Sequence, residues 1–326
     1  MHVASAATGH HSRTQSDGTI FLGFYDRVTS SIKIEPMAQQ QAATVTPEPT
    51  SGFFEADGIK LHYLDWGGDS DKHTFLLLHG GAAHVHWWDS VAPLLVSYGR
   101  VIALDFRGHG RSGWAEPPHY GPSWYTNDVK AMINHLGVRV ILVGHSMGGA
   151  VAQWVGTLYP ELIEAMILID APNGPPPLMR RLMWRWRRRA RGIPRPELKS
   201  FDDIKRKFRL SPPETYLSKS DLERLARMGS IQLENGNWAF RLDPRTRAWR
   251  KVEGRTHKPK IKKLAMPVLI LRGAQSTLIG ARSSLRMHRK IRESVYREIP
   301  RAYHHVPLDN PSDTADAIIE FVNNRL

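Results

Sequence analysis

The stretch that decides the fold is VILVGHSMGGAVAQWVGTLY, residues 140–159. It opens with an apolar run, VILVG (140–144), of the length of a buried strand, and residues 149–159 have the apolar spacing of a helix. The turn between them reads G-x-S-x-G, with Ser146 at its centre. A sharp strand-to-helix turn strains the central residue and requires glycine two positions before and after it, because side chains there would clash. The pattern therefore predicts Ser146 exposed above a sheet, facing the amide end of a helix.

More strands of the same kind surround this element. Short apolar runs alternate with helical patterns such as residues 123–136, and FFEADGIKLHYLDWG (53–67) reads as a β-hairpin around Asp57-Gly58. Strands that are apolar on both faces and alternate with helices indicate an α/β fold whose mostly parallel sheet is covered by helices on both faces. The other predicted strands are FLLLH (75–79), VIALD (101–105), AMILID (165–170), VLIL (268–271) and VYREI (295–299).

Composition excludes several classes of protein and site. The chain has 326 residues, 41% of them hydrophobic, and a net charge of +14. With no cysteine, it has no disulfide, thiolate metal site, iron–sulfur cluster or cysteine nucleophile. Its sequence shows no membrane-spanning run, secretory signal, phosphate-binding loop, dinucleotide fingerprint or H-E-x-x-H pattern. These features predict a soluble, cytoplasmic protein that needs no cofactor and no metal.

The rhythm of strands and helices divides the chain. Residues 1–50 are rich in Ser, Thr, Gln and Ala and end in a proline-containing linker, so we expect a disordered extension. Residues 51–174 and 262–326 carry the alternating pattern and form the predicted core. Residues 175–261 interrupt that pattern with a proline run, an arginine run and two helical patterns, which predicts a basic helical insertion between two strands.

Three motifs together resemble the α/β-hydrolase superfamily across roughly residues 53–326. HGG (79–81) is similar to its oxyanion loop, DFRGHGRS (105–112) to its D-x-R-G-x-G-x-S loop, and GHSMGG to its nucleophile elbow. The resemblance implies that backbone N–H groups of Gly81 and Met147 form an oxyanion hole. Each such donor contributes about 2.7–4 kcal/mol to stabilising a tetrahedral intermediate.

A serine nucleophile needs a base, usually histidine. The family places its base just after the last strand, and the resemblance implies His304 there, with His305 as the alternative. His145 is expected to be a packing or pocket residue, because its place in the elbow points it away from the serine hydroxyl. We expect His84 and His86 to be pocket or surface residues, since no carboxylate stands beside them at the spacing of a metal site.

The expected acid is missing. In related proteins, the loop after the strand that corresponds to VLIL resembles L-R-G-x-x-S-D. In this chain, Thr277 stands at the position of that aspartate. One hypothesis moves the acid to Asp170, at the end of the preceding strand, where some lipases and haloalkane dehalogenases of this fold have it. Asp309 is a poorer candidate, because that motif position turns towards the last helix in the family. The other hypothesis is a weakened or non-catalytic protein.

The nucleophile sets the chemistry. Serine forms an acyl-enzyme, so we expect acyl transfer from a carboxylic ester to water, with a hydrophobic small molecule or lipid as the ester. The alternatives are a hydrolase-like binding protein, a cofactor-free perhydrolase and a carbon–carbon hydrolase.

The insertion carries most of the charge. Residues 180–209 contain thirteen Lys or Arg against three acidic residues, 13 − 3 = +10. We expect a lid helix with solvated arginines over the active site. Peripheral contact with an anionic membrane is the alternative, given tryptophans among the arginines. Specific nucleic-acid binding is not expected, because the run has no base-reading motif.

Overall fold

The computed structural model describes residues 48–172, 196–246 and 259–326. The predicted extension at 1–50 falls almost entirely outside the described residues, as do 180–195 of the arginine-rich segment. All described residues belong to one compact unit, Thr46–Leu326.

The described chain folds into strands and helices at the places that the apolar runs indicated. The strands are β1 Thr50–Ala56, β2 Ile59–Asp65, β3 Thr74–Leu78, β4 Arg100–Leu104, β5 Val140–His145, β6 Ile163–Ile169, β7 Ser230–Gln232, β8 Trp238–Phe240, β9 Val268–Gly273 and β10 Ser294–Ile299. The α-helices are α1 Ala92–Leu95, α2 Pro122–Leu136, α3 Met147–Leu158, α4 Phe201–Lys207, α5 Lys219–Met228, α6 Ala281–His288, α7 Val306–Asp309 and α8 Pro311–Arg325.

Eight strands form one sheet in the order β1-β2-β4-β3-β5-β6-β9-β10. The hairpin β1–β2 is antiparallel, as is the contact of β2 with β4, and the remaining pairs are parallel. Both faces of the sheet are buried: Phe75 and Leu77 pack into one apolar cluster, whereas Leu76 and Leu78 pack into another. This alternation explains why the strand is apolar throughout, and it confirms the predicted α/β-hydrolase fold.

The hairpin turn follows from its two residues. Asp57 and Gly58 both have positive φ, 50° and 70°. A two-residue turn of this kind matches the twist of the strands that it joins, and Asp-Gly favours it. The predicted hairpin is therefore present.

The described part of the predicted insertion, residues 196–246, lies between β6 and β9 in the chain. Two of its helices begin with capping boxes, Ser200 with Asp203 and Ser218 with Asp221. The turn-rich NGNWAFRLDP (235–244) contributes strand β8 of a small antiparallel pair with β7. Both strands lie outside the main sheet.

A buried ion pair connects the loop after β4 to α2. Arg107 Nε donates to Asp128 Oδ2 at 2.7 Å, a second bond joins Nη2 to Oδ1, and both side chains are at most 1% exposed. Asp57 also accepts from Arg107, at 3.2 Å, but it is 47% exposed. Asp128 is thus the partner that compensates the buried guanidinium.

Replacing Asp128 by Ala should lower the free energy of unfolding by about 3–5 kcal/mol, because it leaves a buried charge without its main partner. Asp57→Asn is the matched control and should cost about 1 kcal/mol or less, since water solvates that carboxylate and asparagine tolerates the positive φ of the turn. Urea denaturation of both variants measures the difference. Equal losses would contradict the dominant role given to the buried partner.

Candidate active site

Ser146 occupies the turn between β5 and α3 with φ 51° and ψ −109°. A β-carbon on Gly144 would lie 2.6 Å from the Gly148 carbonyl, and one on Gly148 would lie 2.3 Å from the Leu78 carbonyl oxygen. Such distances are impossible for a real side chain, so both positions require glycine. The helix consequently starts directly against the sheet, and the strained turn presents Ser146 to a cavity.

His304 lies in the loop between β10 and α7, and its ring reaches the serine. Its Nε2 is 2.9 Å from Ser146 Oγ. The neighbouring His305 turns towards the insertion, where its Nε2–H donates to the Pro212 carbonyl at 2.8 Å. Of the two candidate histidines, the structure therefore brings His304 to Ser146.

Asp170 follows β6 directly and lies on the other side of the same imidazole. Its Oδ2 is 2.6 Å from His304 Nδ1. Its backbone has φ 43°, and its N–H donates to the Leu271 carbonyl at 2.8 Å. A carboxylate only accepts, so Nδ1 carries the hydrogen and Nε2 is free to accept from the Ser146 hydroxyl. The contact expected between Asp170 and His304 is present.

The loop after β9 holds Asp170 rather than replacing it. Ser276 Oγ–H donates to Asp170 Oδ2 at 2.7 Å, and the Gly273 N–H donates to Oδ1 at 3.3 Å. Ser276 is buried, whereas Thr277 is exposed. The motif had drawn attention to position 277, and the role of the preceding serine was not predicted from the sequence. Its place one residue before the expected acid is the signal that could have found it.

The environment of Asp170 opposes its ionisation. Burial raises its pKa to about 7, because a carboxylate loses hydration there. The hydrogen bonds from Ser276 and Gly273 and the positive charge of Arg272 act in the opposite direction. The carboxylate that His304 contacts is therefore mostly ionised only above about pH 7.

Ester hydrolysis should therefore fall as pH decreases through about 7. In Ser276→Ala, this acidic limb should move to higher pH by about one unit, because a hydrogen bond to the ionised carboxylate is lost. The measurement is kcat/KM against pH, with Thr277→Ala as the neighbouring control whose limb should stay in place. If the acidic limb stayed in place in Ser276→Ala, the serine would not lower the pKa of Asp170.

His145 fastens the histidine loop to the elbow. Its Nε2–H donates to the His304 carbonyl at 2.8 Å. Burial and the neighbouring histidines lower its pKa well below the ordinary value, so the ring is neutral. The ring also lies close to Gly80, where a β-carbon would come within 3.0 Å of its Nδ1. His145 thus packs beneath the site, as the sequence suggested.

His79 orients the peptide that precedes Gly81. Its Nδ1–H donates to the Gly80 carbonyl at 2.7 Å, while its Nε2 accepts from the Phe106 N–H at 3.2 Å. Burial lowers its pKa to about 4, which preserves the neutral ring needed to accept. Because a peptide is planar and trans, the Gly81 N–H points opposite to the Gly80 carbonyl. Gly81 lines the same cavity as Ser146, and Met147 follows Ser146 at the start of α3.

Asp105 joins the two loops on this side of the site. It accepts from the Val85 N–H at 2.8 Å and from the Arg111 N–H at 2.9 Å. The His62 ring also contacts this carboxylate, with its Nδ1 2.7 Å from Asp105 Oδ2. These contacts stabilise the charged form, and the pKa of this buried carboxyl falls to about 2 although burial alone would raise it. Asp105 therefore fixes the D-x-R-G-x-G-x-S loop against the oxyanion loop.

The cavity above Ser146 is small, about 70 Å³. Residues of the insertion close it on one side and residues of the core on the other. The lining residues are Gly80, Gly81, Ala82, Ala83, Trp87, His145, Ser146, Phe208, Arg209, Leu210, Ser211, His304 and His305.

Asp309 attaches the insertion to the histidine loop. Its Oδ1 accepts from Thr215 Oγ1 at 2.6 Å and from the Tyr216 N–H at 2.8 Å, and its Oδ2 accepts from the Tyr303 N–H at 2.8 Å. The resemblance had implied that Asp309 turns towards the last helix. Its carboxylate instead bonds the insertion and the residue before His304.

The remaining candidate histidines have structural contacts. His84 Nε2–H donates to the Leu225 carbonyl of the insertion at 3.2 Å, and His86 Nδ1 lies 3.2 Å from both oxygens of Asp89. Over the three described ranges, no group of at least three His, Cys, Asp or Glu is placed to hold a metal ion. In the same ranges, no helix is long and apolar enough to cross a membrane.

The fold and this arrangement define a class of protein. A family model described as the alpha/beta hydrolase family matches residues 75–317, more than half of the chain. The chain therefore belongs to the alpha/beta hydrolase family, as its three motifs predicted.

Relatives place it among hydrolases. Esterase Rv0045c of Mycobacterium tuberculosis is 27% identical over 293 residues, covering 88% of this chain and 92% of that protein. The sn-1-specific diacylglycerol lipase ABHD11 of Mus musculus is 26% identical over 271 residues, covering 81% and 85%. Among solved structures, the thioesterase domain from the curacin biosynthetic pathway has a TM-score of 0.71 at 21% identity, covering 83% of this chain and 99% of that one. That structural likeness concerns the fold alone.

Proposed function

We propose that this hydrolase is a serine esterase that transfers an acyl group from a carboxylic ester to water. The observation that carries the proposal is the hydrogen-bonded chain from Ser146 through His304 to Asp170, with contacts of 2.9 Å and 2.6 Å. The chain runs in the order serine, acid, histidine along the sequence, which is the order that the fold uses. The esterase and lipase names of two full-length relatives agree with it.

The first half of the reaction forms the acyl-enzyme. His304 Nε2 takes the hydroxyl proton as Ser146 Oγ attacks the ester carbonyl, and Asp170 stabilises the imidazolium that results. The carbonyl oxygen becomes negative and accepts hydrogen bonds from the backbone N–H groups of Gly81 and Met147. His304 then returns the proton to the departing alcohol, and the carbon–oxygen bond to that alcohol breaks.

The second half repeats these roles with water. His304 takes a proton from a water molecule that attacks the acyl carbon, and the Ser146–acyl bond breaks as the proton passes to Ser146 Oγ. The products are the free acid and the alcohol. No step requires an oxidant, a metal or a bound nucleotide.

The non-catalytic alternative rested on Thr277, which has no carboxylate at the position where the family's pattern has its acid. Asp170 accepts a hydrogen bond from Ser276 and has a carboxylate oxygen 2.6 Å from the His304 ring. This carboxylate supports catalysis over the non-catalytic alternative. We further propose that the insertion serves as a lid, because Phe208 and Leu210 line the cavity above the serine. Opening this lid would admit an ester larger than the closed cavity.

Ser146→Ala should abolish hydrolysis of 4-nitrophenyl esters, with a loss on the order of 10⁶ in kcat, because the nucleophile is removed. A fluorophosphonate probe should label the native protein and leave the variant unlabelled. Ser211→Ala, at another serine that lines the cavity, is the control and should still be labelled. Full turnover by Ser146→Ala would exclude the proposed nucleophile.

Asp170→Asn should reduce kcat by about 10⁴ with little change in KM, because an amide lets the imidazole adopt the wrong tautomer. Adding Thr277→Asp should restore part of the loss by supplying an acid at the family's usual position. Steady-state kinetics of the single and double variants give both numbers. A single variant within tenfold of the native rate would overturn the assignment of Asp170.

A further inference from the structure

Among the described residues that surround Ser146, the cavity has one permanent positive charge. Among the described residues that line it, Arg209 is the one permanently charged side chain, and none is a carboxylate. Burial lowers the pKa of both His145 and His305, so these rings add no charge at neutral pH. A ligand that approaches the serine therefore meets one permanently charged side chain among these described residues, and that side chain is a cation.

The guanidinium has capacity to bind. Arg209 is exposed, and its Nη1–H donates to the Phe208 carbonyl at 2.6 Å. No ion pair joins it to a carboxylate of the described chain. An arginine has five N–H donors in a planar fork, so most of them can still engage an anion.

The backbone beneath Arg209 is fixed from both sides. Phe208 N–H donates to the Ile204 carbonyl at 2.8 Å, and the Phe208 ring lies 6.5 Å from that of Trp87. Leu210 is only 7% exposed and belongs to the main apolar cluster, and the Pro212 carbonyl accepts from His305. The arginine is therefore held at the edge of the cavity rather than on a free loop.

We propose that Arg209 is a specificity-determining residue, and that the site prefers esters whose acyl part ends in a carboxylate. This inference rests on the proposed esterase function and names its substrate class. The side of the cavity lined by Trp87, Phe208 and Leu210 takes the carbons next to the reacting carbonyl, and the far carboxylate pairs with the guanidinium at the edge. Arginine suits this role because its fork matches both oxygens of a carboxylate.

Two six-carbon acyl esters of 4-nitrophenol test the proposal, the neutral hexanoate and the anionic monoester of adipic acid. In Arg209→Ala, kcat/KM for the adipate ester should fall about tenfold, mainly through KM, because a charged hydrogen bond to the ground state is lost. The hexanoate should change by less than about twofold. Arg209→Lys should retain part of the preference, since lysine keeps the charge but not the fork.

Lys207→Ala is the matched control, because Lys207 is an exposed cation at the end of α4 that does not line the cavity. It should leave both esters unaffected, which separates a local contact from the general positive charge of the insertion. Raising the salt concentration should shrink the effect of Arg209→Ala. An equal loss for both esters, or for both variants, would overturn the proposal.

Failure of this inference is distinguishable from failure of the esterase function. Hydrolysis of the hexanoate that depends on Ser146, with no effect of Arg209→Ala on the adipate ester, would refute the substrate class alone. If the native protein hydrolysed neither ester, the esterase function would be refuted, and so would the specificity that rests on it. A third substrate would be a 4-nitrophenyl ester whose acyl chain has the same length and ends in a phosphate. A preference for it over the adipate ester would assign Arg209 to phosphate recognition instead.

Discussion

The site depends on the close approach of α3 to the sheet. Without side chains at Gly144 and Gly148, the helix begins where a β-carbon would lie 2.3–2.6 Å from backbone atoms. This contact forces the strained backbone of Ser146 and places the serine beside the carboxyl ends of the parallel strands. Asp170 and the loop carrying His304 follow strands at that same edge, so the sheet brings the residues together.

Burial strengthens the interaction of Asp170 with the imidazole and also opposes the ionisation of Asp170. A carboxylate away from water interacts strongly with an imidazole, but the same burial raises its pKa to about 7. Ser276 and the Gly273 amide offset part of this cost by donating hydrogen bonds to the ionised form. The loop after β9 has thus kept a part in the site without an acid of its own at position 277.

Besides lining the cavity, the insertion is hydrogen-bonded to the segment that carries His304. Asp309 bonds it to the backbone before His304, and His305 bonds the Pro212 carbonyl. Both contacts flank the imidazole in sequence, so displacement of this part of the insertion would also disturb the loop that carries His304. These hydrogen bonds make the insertion a structural part of the site.

The sequence by itself determined the fold and the strand-to-helix turn that presents Ser146, because buried strands, glycine spacing and the elbow are local patterns imposed by packing and backbone sterics. It also indicated His304, whose motif is contiguous. Only the tertiary structure decided how Asp170 is held, because its partners His304 and Ser276 lie 134 and 106 residues away in the chain. The same is true of Arg209, whose place at the cavity edge follows from how the insertion packs on the core. Contacts between distant segments depend on the folded geometry, and no local pattern in the chain encodes them.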